Sequence, residues 1–197
     1  MQVDIDHVLF WMDAIRNSKD PKRTLESFWK GQIHSKIWLI KNLKKHVNKV
    51  VSVDIHGGWN GVLASLIFQS NIYTTHIRSV DIDPECEVIA NTINKNEEMV
   101  GQFTALTADM CALRSDADVI INTSCEHITQ DQYDLWLSGM PYNSIIVVQS
   151  NNYIIDEHVR PADSLEHFKE QSHLGTILWE GELKLPLYTR YMIIGRQ

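Results

Sequence analysis

Six consecutive residues, His56-Gly57-Gly58-Trp59-Asn60-Gly61, have the spacing of a GxGxxG loop in which histidine replaces the first glycine. Asp54 precedes the loop, and Asp81 lies 20 residues beyond Gly61. A carboxylate at that separation meets the ribose diol of a bound nucleotide, because both hydroxyls can donate to one ionised group in charge-assisted contacts. Gly58 and Gly61 would let the backbone approach a ligand and the following helix pack closely. A second group of chemical residues comes later: Asp109 with Met110, then Asn122, Glu126 and His127 in "NTSCEH", then Asn151, Asn152, Tyr153 and His158 in "QSNNYIIDEH". Glu126 or His127 could accept a proton, the histidine titrating near ~6.5 and so suited to base work at neutral pH. The same Glu-His pair could instead cap a helix start.

These residues need a frame, and the pattern around them supplies one. Strands are expected at 49–55, 76–82, 103–109, 117–124 and 143–150, with helices between them at 60–70, 83–96 and 129–140. Asp83-Pro84 opens the second of these helices as an N-cap followed by proline at N1. Strands alternating with helices imply a mostly parallel sheet covered on both faces, with ligands bound beyond the C-terminal strand ends. The end of the chain departs from the alternation. A helix over 164–173 precedes two strands, 175–186 and 187–197, which form an antiparallel hairpin. Residues 1–48 read as helical, with Asp20-Pro21 as another cap and Gly31 as a point where one helix divides into two.

At 197 residues the chain fits one domain, a helical cap over 1–48 and an α/β core over 49–197, so a single domain must carry every site. No apolar run approaches the ~18 residues of a membrane span. The N-terminus lacks a basic region and a small-residue cleavage site, so a cytoplasmic setting is expected. Three cysteines without a CxxC pair argue against disulfides and structural zinc. The net charge of −7 is unfavourable for nonspecific binding to a polyanion.

Two ligand classes share the loop and the ribose acid. A dinucleotide brings a pyrophosphate that wants an unobstructed helix N-terminus, and Asp54 would repel it. S-adenosyl-L-methionine has no phosphate, tolerates a side chain at His56, and carries an ammonium that Asp54 would attract. At this point the chain, over roughly residues 49 to 195, resembles the class I S-adenosylmethionine-dependent methyltransferases. Asp54 through Gly61 looks like that family's first motif. Asp81 with Ile82 looks like its ribose acid, Asp109 with Met110 like the acid beside the adenine, and "DVIINTSCEH" like its strand-four motif. The resemblance implies a Rossmann-like three-layer α/β/α sandwich with a mostly parallel seven-stranded sheet, a C-terminal antiparallel hairpin and N-terminal helices as a lid. It also implies cofactor contacts from Asp54, His56, Gly57, Gly58, Asn60, Gly61, Asp81, Ile82, Asp109, Met110 and Asn122, and S-adenosyl-L-homocysteine as product. His56 and Asn60 stand where the family has glycine.

Methyl transfer is an in-line displacement at an already activated carbon, so holding the acceptor at near-attack distance does much of the work. Asn122, Glu126 and His127 are the candidate catalytic residues. Cys125 follows serine rather than the proline typical of cytosine-C5 enzymes, and is expected to be core. The run Asn122-Thr123-Ser124-Cys125 lacks the prolines of amino-methylating DNA enzymes, and with the acidic charge this argues against sequence-specific DNA methylation. A small polar metabolite is narrowly favoured over RNA as acceptor. Arg190 could meet an acceptor's acidic group, and Gln32, Ser35 and Lys36 could line a lid. No metal is expected: sequence alone does not bring Glu126, His127 and His158 within ligand distance. The competing readings are an NAD(P)-binding oxidoreductase and a noncatalytic module that binds S-adenosylmethionine.

Overall fold

The computed structural model describes residues 5–197; residues 1–4 of the expected N-terminal helical stretch lie outside the described residues. The chain runs α1 (Ile5–Asn17), α2 (Pro21–Glu26), α3 (Lys30–Leu43), β1 (Val51–His56), α4 (Val62–Phe68), β2 (Thr74–Asp81), α5 (Pro84–Ile93), α6 (Lys95–Met99), β3 (Phe103–Thr107), β4 (Val119–Asn122), α7 (Gln130–Ser138), β5 (Ile145–Asn151), α8 (Leu165–Ser172), β6 (Thr176–Lys184) and β7 (Thr189–Arg196). Single 3-10 turns at Met110–Ala112 and Cys125–His127 follow β3 and β4.

The strands form one sheet in the order β3-β2-β1-β4-β5-β7-β6. Neighbours pair in parallel from β3 to β5, and β7 runs antiparallel to both β5 and β6. The order reverses between β1 and β4, where crossovers leave to opposite sides and open a crevice at the C-terminal strand ends. Side chains alternate along each strand and so fill two separate cores. Val53, Ile55, Ile121 and Val147 pack with α3, α4 and α5 on one face, while Ile120, Ile146, Val148 and Ile193 pack with α7 and α8 on the other. The three-layer arrangement follows directly.

Local capping sets the helix starts. Asp20 accepts from the Arg23 amide with Pro21 at the first helical position. Asp83 accepts from the Glu85 amide ahead of Pro84, and Thr129 with Gln132 forms a reciprocal capping box at α7. Two helix breaks are placed by contacts that the sequence expectation does not include. The N-terminal break falls at Ser27–Trp29 rather than Gly31, because the Ser27 hydroxyl and amide both turn back onto the Thr24 carbonyl and Trp29 takes an extended ψ. The expected helix over 83–96 breaks at Asn94, whose buried side-chain amide donates both to the Ala90 carbonyl of its own helix at 2.9 Å and to the Gly61 carbonyl at 3.1 Å.

The N-terminal helices divide between two places. Trp11 of α1 packs on Phe28 and donates to Ser65 of α4, so α1 covers the outside of the helix layer. Helix α3 reaches the sheet, where Ser35 donates to Gln149 of β5 and Trp38 meets Trp179 of β6 edge-on. No helix among the described residues is long and apolar enough to cross a membrane.

Candidate active site

The loop after β1 turns through positive φ at Gly57, Trp59 and Gly61. A Cβ at Gly61 would lie 2.7 Å from the Ala90 Cβ of α5, so glycine here permits α4 and α5 to meet. At Gly58 a Cβ would fall 2.1 Å from Ser79 Oγ, so this glycine seats the loop on β2 rather than opening it to a ligand. Asp81, at the end of β2, holds the loop from the other side: its Oδ2 accepts from the Trp59 amide at 2.8 Å and its Oδ1 from the Asp83 amide at 3.1 Å. An ionised carboxylate has about four acceptor positions. Two therefore remain for a ligand diol, and Asp81 is only half-buried. Beside it the Ile82 side chain is 73% exposed, an apolar surface at the crevice edge.

Asn60 is 1% exposed, and neither its amide nitrogen nor its oxygen has a partner among the described residues. A buried unsatisfied amide costs about 1–3 kcal/mol, which a ligand presenting polar atoms to this loop would offset. Asp109 caps the 3-10 turn after β3 by accepting from the Cys111 amide at 2.9 Å and stays exposed at the strand ends. Met110 beside it contacts the Asn122 amide through sulfur at 3.7 Å. The loop, Asp81, Ile82, Asp109 and Met110 thus stand on one rim, over β1, β2 and β3. The orphaned amide of Asn60, the spare acceptor positions of Asp81 and the exposed Ile82 fit a nucleoside-bearing ligand with polar groups at one end.

Three expected contacts have other roles. Asp54 faces Arg78 directly across the β1–β2 ladder, pairs with its guanidinium, and accepts from Ser115 Oγ at 2.5 Å. Its charge is spent within the sheet rather than offered to a ligand ammonium. His56 lies two residues on and points the same way. It is fully buried, and its Nδ1 accepts from the Trp136 indole at 2.7 Å. Burial pushes its pKa down to about 4, Asp54 opposing and Arg78 adding to the shift, so the ring is neutral. Histidine replaces glycine here because the strand directs position 56 into the layer beneath α7. Asn122, also fully buried, spends its amide oxygen on the Ser124 backbone at 2.9 Å and its nitrogen on Met110; it shapes the turn instead of meeting an acceptor.

The second rim is built by β4, β5 and β7. Glu126 is 2% exposed; its Oε1 accepts from Asn151 Nδ2 at 2.5 Å and from Arg190 Nη2 at 3.4 Å, while Oε2 has no partner among the described residues. Arg190, itself 5% exposed, also donates to the Thr123 carbonyl at 3.1 Å and to Gln149 Oε1 at 3.4 Å. Gln149 in turn accepts from Ser35 of α3. Half-buried Lys36, one residue on, donates to Gln32 at 3.1 Å, and its amine is pushed down to about 7, mainly by burial and further by Arg190. Hydrogen bonds therefore link α3, β5, the β4 turn and β7.

His127 stands exposed and His158 half-buried beside this network, ring centroids 4.7 Å apart. One donor atom from each of Glu126, His127 and His158, which sequence alone could not bring together, lies within 4.8 Å of the others. Cys125 is fully buried with its thiol pushed up to about 12 by desolvation, which leaves it no nucleophilic part. Sequence reasoning missed Arg160. Its guanidinium covers the Tyr133 ring at 4.2 Å and donates to the Cys125 carbonyl, while its amide donates to the Glu126 carbonyl at 3.0 Å. Arg160 thus clamps the turn that carries Glu126 and His127. Its only sequence signal was membership of the polar stretch after β5.

No family model matches the chain, and no curated protein matches it in sequence. Solved structures do match in shape. A magnesium protoporphyrin IX methyltransferase from Synechocystis PCC 6803 with bound SAM superposes with a TM-score of 0.67 at 14% identity, covering 100% of this chain and 99% of that one. A ribosomal protein L11 methylase from Lactobacillus delbrueckii subsp. bulgaricus gives 0.60 at 12% identity, covering 83% and 80%. The M1A22 tRNA methyltransferase of B. subtilis gives 0.59 at 10% identity, covering 80% and 65%. The chain has the fold of these methyltransferases.

Proposed function

We propose that the protein is a methyltransferase, binding S-adenosyl-L-methionine along the β1–β3 rim and transferring its methyl group to an acceptor held on the β4–β7 rim. The observation that carries this reading is the junction of loop and acid: Asp81 fixes the Trp59 amide while keeping acceptor positions free, beside the unsatisfied Asn60 amide. The fold shared with a SAM-bound methyltransferase supports it.

Asp81 would take the ribose hydroxyls, Ile82 and Met110 would flank the adenine, Asp109 would lie beside it, and Gly57 to Gly61 would line the methionine part. The cofactor, when bound, supplies a methyl group already activated by its sulfonium. The chain's own task is then orientation and exclusion of water. Arg190 would pair with an acidic acceptor, Glu126 and His127 would orient the acceptor or take its proton, and α3 would close the pocket through Ser35. We read residues 1–197 as one domain in which α3, alone of the N-terminal helices, is part of the pocket. A buried wall roofed by a helix favours a small polar acceptor over a polynucleotide.

Parallel calorimetric titrations with S-adenosylmethionine, S-adenosylhomocysteine and NAD test the cofactor. Saturable binding of the two sulfur ligands alone is expected, and binding of NAD alone would overturn the reading in favour of an oxidoreductase. Transfer of labelled methyl to any member of a small-molecule acceptor panel would then separate an enzyme from a noncatalytic binding module.

A further inference from the structure

We propose that Glu126, His127 and His158 form a binding site for one divalent transition-metal ion, of the zinc, cobalt or ferrous kind. The three residues come from two segments, the 3-10 turn after β4 and the loop after β5, and each offers a donor atom within 4.8 Å of the others.

The tautomers of both histidines are set by their neighbours. His127 Nδ1 lies 3.1 Å from the Glu157 carbonyl, and His158 Nδ1 lies 2.7 Å from the Tyr153 carbonyl. A carbonyl oxygen only accepts, so each Nδ1 carries the proton and donates. Each Nε2 is then left with its lone pair, the form in which imidazole binds a metal, and backbone carbonyls on the other nitrogen are the usual outer support of such ligands. The carboxylate is prepared in the same way. Glu126 Oε1 is held by Asn151 and Arg190, while Oε2, on a residue 2% exposed, is buried and has no partner among the described residues. A cation would satisfy that orphaned oxygen.

Two imidazoles and one carboxylate form a ligand set that leaves positions open, and imidazole selects transition metals over magnesium or calcium. Metal–ligand bonds of roughly 2.0–2.2 Å place donors about 3–3.5 Å apart. The widest separation in the triad must therefore close by about an ångström, which exposed His127 and half-buried His158 can do while the buried glutamate stays fixed. Arg160 holds the backbone of the turn from below, and Arg190 limits affinity by its like charge, as expected of an open rather than a closed site.

The test uses the full chain, stripped with chelator and titrated with Co2+ and with Zn2+ by calorimetry. Visible absorption of the Co2+ form and imidazole nitrogen NMR shifts serve as the coordination signatures. One equivalent is expected to bind with both Nε2 signals shifted, and His158→Ala and His127→Ala should each weaken binding at least tenfold. His158→Ala lies in an exposed loop, so it also reports if a change at His127 disturbs the fold. Absence of saturable binding would overturn the proposal, as would affinity unchanged in the double histidine variant, which would put the ion on other imidazoles. The titration needs no cofactor, so its failure and the failure of the methyl-transfer reading are separate results.

Discussion

His56 makes the stability of this protein depend on mild acid, in a direction and amount that follow from its burial. In the fold the ring is neutral, with Nδ1 accepting from Trp136 and a pKa pushed down from 6.5 to about 4. In the unfolded chain it returns to about 6.5. Above pH 6.5 both states are neutral and His56 contributes no pH dependence. Between 6.5 and 4 only the unfolded chain takes up the proton, so acidification favours unfolding; below 4 both are protonated and the loss levels off. A depression of about 2.5 units corresponds to about 3 kcal/mol at the acid end, a large part of a typical stability of roughly 5–15 kcal/mol. Other groups titrate in the same interval, so the measurement is a difference. Urea unfolding of the wild type and of His56→Asn, whose amide oxygen can still accept from the indole, is followed from pH 7.5 to 4. The wild type should lose about 3 kcal/mol more than the variant over that interval. Parallel curves would refute the neutral buried ring, and a carbon-labelled histidine titrating near 6.5 at position 56 would do so independently.

Four further outcomes follow from the same structure. Trp136→Phe removes the donor to His56 Nδ1 and should cost about 1–3 kcal/mol at pH 7, in addition to the loss from the cavity the smaller ring leaves, by chemical denaturation. Gly61→Ala places a Cβ 2.7 Å from Ala90 at φ +73, and should lower stability by at least about 1 kcal/mol; a neutral result would mean that α4 and α5 can separate freely. Arg190→Leu leaves the Glu126 carboxylate buried without its cation and should destabilise by about 3–5 kcal/mol, with Glu126→Gln in the same background restoring much of the loss. Asp81→Ala should weaken S-adenosylmethionine binding by about 1.5–3 kcal/mol, read by calorimetry, and unchanged affinity would remove the central contact.

The sheet was legible in sequence because its signals are local. Alternating and continuous apolar runs marked all seven strands, and Asp-Pro pairs at 20–21 and 83–84 marked two helix starts that the structure reproduces. The break at Asn94 was not legible, because its cause is a contact with Gly61 on another element. For the site the same division holds. The place of Asp81 beside the loop could be found by counting residues, but the direction of a side chain at a strand end cannot be counted. Asp54 and His56 looked like ligand contacts because of the motif they occupy. The pleat turns both toward Arg78, Ser115 and Trp136, partners that are distant in sequence and invisible to spacing. Convergence of His158 on Glu126 and His127 was illegible for the same reason: the separation in sequence is long, and only the adjacent β4 and β5 ends bring the two segments together.

The insertion of β7 between β5 and β6 sets an order of events during synthesis. The ribosome delivers β5 well before β7, with α8 and β6 made in between. Until β7 arrives, β5 is an open edge, seven residues of buried-type sequence without a partner on that side and a ready template for pairing with another chain. Over the same interval Glu126 has neighbours but no counter-ion, since Arg190 rides in on β7. The half of the sheet that would receive the cofactor can therefore be assembled early, while the half that would receive the acceptor closes only when the reversed strand docks, so misfolding and aggregation should begin at β5 rather than at the glycine loop.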